Sequence, residues 1–182
     1  MSIFSNPAST SLEDAKSYTE AILGLVGPRE PMAVLRETPD AIRRGIAGLS
    51  SAQLAQPEAA GKWSIGQMIQ HLADAELVWA YRLRMVLAHD RPPLIGYDQD
   101  LWAERLRYAA SDVAGSLETW SALRRADLRL LDGASEADFA RVGVHAERGE
   151  ETVAHMVRMF AGHDLMHLRQ LERIRRAVTL EA

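Results

Sequence analysis

The sequence predicts an all-α fold, a four-helix bundle with short connecting helices. Three observations carry that reading. Apolar residues recur at spacings of three and four along most of the chain, and the period-two alternation of strands is nearly absent. The long periodic stretches are separated by short connectors rich in Gly, Pro, Ser and Asp. The chain has 182 residues, and a domain of that size buries roughly 70% of its extended surface. We read residues 1–182 as a single domain whose first ten residues are flexible.

Residues 12–26 form the first long helix, with Leu12, Ala15, Ile22, Leu23 and Val26 turned inward and Gly27-Pro28 as its stop. Thr38-Pro39 reads as an N-cap followed by proline at the first helical position, opening a short helix that carries Ile42, Ile46 and Leu49. Residues 51–56 add a further turn before the loop PEAAGKW. The second long helix starts at Ser64, which forms a capping box with Gln67 and is preceded by Trp63 as a hydrophobic staple. It runs over 65–88 and ends before Arg91-Pro92-Pro93. Residues 92–98 are a loop, followed by a short helix over 99–107. The third long helix spans 112–132, points Val113, Leu117, Trp120, Leu128 and Leu131 inward, and stops at Gly133. Residues 141–151 form an irregular loop with room for a brief hairpin, and the last long helix covers 152–177. Four long helices with short connectors imply a bundle, an architecture that places ligand and metal sites between facing helices.

Composition narrows the function. A net charge of −4 and no basic stripe argue against a nucleic-acid partner. Cysteine is absent, which excludes disulfides, thiolate ligands and a cysteine nucleophile and suits a cytoplasmic protein. The start MSIFSNPASTS lacks the pattern of a signal peptide, and apolar runs such as LVWAY are too short to span a bilayer.

The informative residues are histidines on inward stripes. His163 and His167, in GHDLMHLRQL, are one helical turn apart and share a face with Met156, Phe160, Leu171 and Ile174. His71 lies on the inward stripe of the second long helix, in WSIGQMIQHL. Buried imidazoles need partners, and a divalent metal held between two helices would satisfy all three. Alone, an HxxxH pair is also compatible with ordinary core histidines. HDLMH differs from the zincin motif HExxH by its shorter acid, and no third ligand follows closely downstream.

Other polar residues have competing readings. Asp74, three residues after His71, can orient a ligand or relay a proton, or be a plain helix-paired carboxylate. Asp164 points about 100° away from His163 and is expected to pair with an arginine of another helix. Glu76 points away from His71, toward packing or an ion pair. Arg82 returns to the His71 face three turns on, and Arg124 interrupts the stripe between Trp120 and Leu128. Either arginine can meet an anionic substrate, although structural ion pairs are the commoner use. His155 lies on the flank of the last helix, while His89 and His145 sit at a helix end and in a loop.

The order of segments resembles the DinB superfamily, specifically its DinB/YfiT-like metal-binding bundles. The matching pieces are TPDAIRRGIAGLSSAQL, GKWSIGQMIQHLADAE, LRMVLAHDRPPLIGYDQD and ETVAHMVRMFAGHDLMHLRQLERI. By that resemblance His71, His163 and His167 are the three metal ligands, with zinc or nickel as the implied ion. Three imidazoles without a protein carboxylate leave the remaining positions for water or substrate, as in a catalytic site. The resemblance implies a small-molecule substrate and thiol S-transferase-like or hydrolase-like chemistry. Any low-molecular-weight thiol must come from outside, since the chain has no cysteine. It also brings the expectation of a homodimer. The rival expectation is a stress-associated protein that binds metal or ligand without turnover.

Overall fold

The computed structural model describes residues 12–180, with side chains from residue 16. The expected flexibility of residues 1–10 and the inward turn of Leu12 and Ala15 lie outside the described residues. Helix α1 spans Leu12–Val26 and places Ile22 and Val26 in the core. Helix α2 spans Pro31–Ile46. The sequence reading started this helix at Thr38-Pro39, and the structure corrects it. Its N-cap is Glu30, whose carboxylate accepts from the Met32 and Ala33 amides, and the proline at the first helical position is Pro31.

Pro39 therefore lies inside a helix, where it removes one backbone bond. The carbonyl left without its helical donor is that of Leu35, and it accepts from Arg124 Nη1 at 2.9 Å. Neighbouring Thr38 donates its hydroxyl to the Val34 carbonyl at 2.7 Å. The proline survives mid-helix because a side chain from elsewhere in the fold satisfies the orphaned acceptor.

After α3 (Ser51–Ala55), helix α4 (Ile65–Ala88) begins with the expected capping box, the Ser64 amide donating to Gln67 Oε1 at 3.0 Å. Strand β1 (Pro93–Leu94), helix α5 (Gln99–Arg105) and a 3₁₀ turn (Tyr108–Ala110) lead to α6 (Val113–Asp132), capped by Asp112. Helix α7 (Glu136–Phe139), too short to show a period, precedes β2 (Val142–His145), β3 (Gly149–Thr152) and α8 (Val153–Leu180). Residues 92–98, read as a loop, thus contribute a strand. It pairs parallel to β2, and β2 pairs antiparallel to β3. No two-residue strand can show alternation, so only the tertiary partner reveals it. Arg141, entering the hairpin, donates to the carbonyls of Val86 and His89 at 2.8 Å each and so ties the sheet to the end of α4.

The structure is a four-helix bundle in which α2, α8, α4 and α6 pack around a closed ring, and α1 docks on α8. The expected short second helix is therefore a full wall of the bundle. Its core has two apolar clusters, one around Trp79, Leu83, Leu128 and Met156 and one around Ile42, Ile69, Trp120 and Ile174. A polar layer falls at the boundary between them, with charged side chains from α4, α6 and α8 and a backbone carbonyl from α2. Arg124 of α6 is fully buried and places all five of its N–H groups. Nε and Nη2 hold Glu76 of α4 at 2.8 and 2.7 Å, Nη1 and Nη2 hold Asp164 of α8 at 2.6 and 3.1 Å, and Nη1 also reaches Leu35 of α2. Trp120 Nε1 donates to Glu76 Oε2 at 3.1 Å. The expected ion pairs of Asp164 and Glu76 are therefore one shared arginine. Among the described residues no helix is long and apolar enough to cross a membrane.

Removing one member of a buried ion network leaves the others charged without a partner. Arg124→Met is expected to lower the unfolding free energy by about 3–5 kcal/mol, measured by urea denaturation followed by circular dichroism. A loss below about 1 kcal/mol, the usual value of a surface pair, would contradict the role given to Arg124.

Candidate metal centre

His71 stands on α4 one and a half turns before Glu76, while His163 and His167 flank Asp164 on α8. The charged layer that pins α4 to α8 therefore also sets the distance between the two sources of imidazole. The structure brings all three predicted residues together. His163 Nε2 lies 3.2 Å from His71 Nε2 and 3.1 Å from His167 Nε2, and one ligating nitrogen from each lies within 4.8 Å of the others. His71 and His167 are buried and His163 is half-buried.

Each nitrogen's protonation follows from its surroundings. His167 Nδ1 is 2.7 Å from Gln170 Oε1, which can only accept, so Nδ1 carries the proton and Nε2 presents its lone pair to the cluster. Burial keeps all three rings neutral. It pushes His167 down to about 4, and burial followed by the neighbouring His167 holds His71 and His163 well below the ordinary imidazole range. A central Nε2 flanked by two others cannot be satisfied by a single proton. The nitrogens about a tetrahedral zinc, each about 2.0–2.1 Å from it, stand about 3.3 Å apart, close to the 3.2 and 3.1 Å that separate His163 Nε2 from the other two. The residues fit a divalent cation.

Aromatic rings wall the cluster. Trp63, expected as a helix staple, lies against His71 with ring centroids 5.1 Å apart. Phe160 stacks on His163 at 5.5 Å and on Trp79 at 4.5 Å. Asp74 is half-buried, and no hydrogen bond joins it to His71, whose Nδ1 has no partner. Its carboxylate faces Tyr108 instead, and burial together with that carboxylate raises the Tyr108 phenol. Tyr108 in turn meets Trp63 edge-on at 6.2 Å. Arg124 is committed to structure, as described. His155 sits on the flank of α8, half-buried, and His89 is the exposed C-cap of α4. His145 is buried in β2 and accepts from the Glu147 amide through Nδ1 at 3.2 Å.

Two cavities meet at the cluster. One of about 350 Å³ opens beside His167 and is bordered by Trp63, Lys62, Arg169 and Gln170. The other, of about 100 Å³, runs from His71 and His163 past Trp79 and Phe160 to Arg82 and Arg148. Tyr18 and Gln99 border both. Gln170, Tyr18 and Arg148 were absent from the sequence reading. Gln170 was legible in principle, three residues after His167 and so on its face. Tyr18 and Arg148 reach the site from α1 and the hairpin, and no local pattern places them there.

The DinB superfamily model matches residues 35–171, a stretch that includes all three histidines. The chain belongs to the DinB superfamily. A Geobacillus thermodenitrificans relative named "Putative metal-dependent hydrolase" is 31% identical over 139 residues, 76% of this chain and 71% of the relative. Bacillus subtilis "Putative metal-dependent hydrolase YfiT" is 26% identical over 144 residues, 77% of this chain and 81% of its own. A solved structure of YfiT, described as a probable metal-dependent hydrolase with an unusual four-helix bundle topology, superposes with a TM-score of 0.72 at 24% identity, covering 79% of this chain and 84% of that one. That likeness establishes the shared fold.

Gly162, beside His163, is where α1 approaches α8. A Cβ there would stand 2.3 Å from the Ile22 carbonyl oxygen, a backbone atom that cannot swing aside. Gly162→Ala is expected to displace α1 and lower stability by about 1–3 kcal/mol, as overpacking does. The imidazole nitrogen resonances of His163 should shift with it. Thermal melts and long-range nitrogen NMR spectra check this, and unchanged values in both would refute the close approach.

Proposed function

We propose that this protein is a metal-dependent enzyme in which His71, His163 and His167 hold one divalent cation through their Nε2 atoms. Zinc and nickel both suit an all-imidazole donor set. The observation that carries the reading is the convergence of three neutral imidazole nitrogens, one with its tautomer fixed by Gln170, at the meeting point of two cavities. The names of its relatives, which describe metal-dependent hydrolases, support it. A cation held this way supplies Lewis-acid activation of water or of an external low-molecular-weight thiol for attack on a small electrophile.

The chain's own groups have separate tasks. Gln170 holds the His167 proton on Nδ1, so that Nε2 remains a donor. Phe160, Trp79 and Trp63 exclude water from the flanks of the imidazoles. Asp74 acts as a positioning residue, reaching His71 only through Tyr108 and Trp63. Two cavities rather than one favour a reaction of two substrates. The larger, bordered by Lys62 and Arg169, suits a thiol cosubstrate carrying negative charge.

Three measurements test this reading. The purified protein is expected to contain one equivalent of divalent metal per chain, and His163→Ala to lose it while keeping its helical circular dichroism. Unchanged metal content would sink the assignment. Because the folded rings are already deprotonated, with His167 at about 4, metal affinity should stay level as pH falls from 8 to about 5 and drop only below that. A decline that starts near 6.5, the ordinary imidazole value, would show that burial does not set these rings. With chlorodinitrobenzene and a panel of small thiols, thiol consumption should vanish on chelation and return with zinc or nickel. Tight metal with neither thiol transfer nor ester hydrolysis would leave a binding protein without turnover.

A further inference from the structure

Of the two arginines on inward stripes, only Arg124 is consumed by the fold. Arg82 stands on α4 at the far end of the smaller cavity, half-buried. Its Nη2 donates to the Ile95 carbonyl, while its Nε is sealed from solvent without any partner. Among the described residues no carboxylate lies within ion-pair distance of it, although Glu147 and Glu151 are near enough for their fields to reach it. Its neighbour Arg148 is different, since its Nε and Nη2 both hold the buried Glu151 carboxylate, the second at 3.1 Å. Arg148 and Glu151 thus cancel. Tyr18 and Tyr97 face the same space as phenols, raised by burial, and burial lowers His145 to about 4 and keeps it neutral. Of the charged residues that line the cavity, Arg82, Arg148 and Glu151, one positive charge is left over, and Glu147 lies outside that lining although its field reaches Arg82. Burial and then Arg148 lower Arg82 from its ordinary value, the condition of a cation short of counter-charge.

We propose that Arg82 is the recognition residue of this site, and that its guanidinium holds the carboxylate of a small substrate whose other end reaches the imidazoles. This deepens the proposed function and rests on it for the reacting end. A single positive charge along the cavity lining, tempered by the nearby Glu147, suits a monoanion better than a phosphate dianion. Eleven residues of helix separate His71 from Arg82, about 16 Å along the axis, and the longer arginine side chain leans further back toward the N-terminus. The guanidinium and the imidazole nitrogens are then on the order of 10 Å apart. The cavity of about 100 Å³ admits a molecule of roughly 7–10 heavy atoms, if a water-sized group takes about 10–15 Å³. Between the two ends lie Trp79, Phe160, Met159 and Ala75, an apolar sleeve for the middle of the molecule. The substrate class is a short-chain carboxylate with an electrophilic carbon at the opposite end.

Hexanoate and hexanamide, equal in length and differing in charge, are the probes, titrated calorimetrically into the protein as purified. Hexanoate is expected to bind at least about tenfold more tightly than hexanamide, the gain of a charge-assisted hydrogen bond. Arg82→Gln should erase that preference, and Arg82→Lys, which keeps charge without the fork, should keep part of it. Should Arg82→Gln fail to fold, a preference left undiminished in Arg82→Lys overturns the proposal. It is equally overturned by no preference in the unmodified protein, or by one that survives Arg82→Gln. Hexylphosphonate binding more tightly than hexanoate would overturn the monocarboxylate assignment. His163→Ala separates the two readings. If the preference is carried by Arg82 it persists there after metal is lost, whereas a carboxylate bound to metal disappears. Protein that contains no metal but still prefers hexanoate would end the metal reading and leave the Arg82 site standing.

Discussion

One guanidinium organises this molecule. Arg124 sits where two apolar clusters meet, and its five donors are divided among three of the bundle's walls, its own helix supplying the fourth. Burial would lower the arginine, but Asp164 and Glu76 outweigh it and hold it above its ordinary value. Burial also raises both carboxyls against the pull of Arg124, Glu76 to about 7. Such a layer is poor evidence of stability relative to an apolar one, because desolvation offsets much of the attraction. It is strong evidence of specificity. A bundle slipped by one turn at α4, α6 or α8 would strand a buried charge, whereas a slipped apolar layer loses only contacts.

The candidate metal centre inherits its geometry from this layer. Asp164 lies between His163 and His167 in the chain, so the contact that fixes α8 against α6 also fixes the imidazoles of α8 opposite His71. Phe160 joins the two systems, with its ring 5.3 Å from the Arg124 guanidinium carbon and stacked on His163. Nearby, Gly162 lets the α1 backbone close over the same turn of α8. The imidazoles are held from behind by charge and from the sides by rings, with the Nε2 atoms of His71 and His167 turned toward that of His163. Rigid support of this kind is what a coordination site requires, because small displacements of a ligand cost affinity steeply.

The contrast between Arg82 and Arg124 separates a structural from a recognitional use of one residue type. Both lie on inward stripes, and both were open to either use from the sequence alone. Arg124 meets two carboxylates and a carbonyl that a proline leaves bare. Arg82 meets one carbonyl and a cavity. An arginine that the fold has not neutralised is a binding group by default, since its desolvation was not repaid within the chain.

Much of this was written locally. The boundaries of α1 and α4, the Ser64–Gln67 capping box, the inward Trp120 and the shared face of His163 and His167 follow from periods and caps, which depend only on nearby residues. Asp164 and Glu76 were legible as ion-pair partners because helical angles point them away from the histidines. What local pattern could not supply was anything settled by a distant group. Pro39 looked like the start of a helix because a mid-helix proline strands a carbonyl, and only Arg124, 85 positions later in the chain, removes that penalty. β1 exists because β2 pairs with it, and Tyr18 and Arg148 reach the cavities because α1 and the hairpin dock there. The sequence determined which side chains face inward, for that is set by the 3.6-residue turn. The tertiary structure decided which of those side chains meet, because a buried polar atom's partner is chosen by packing across helices.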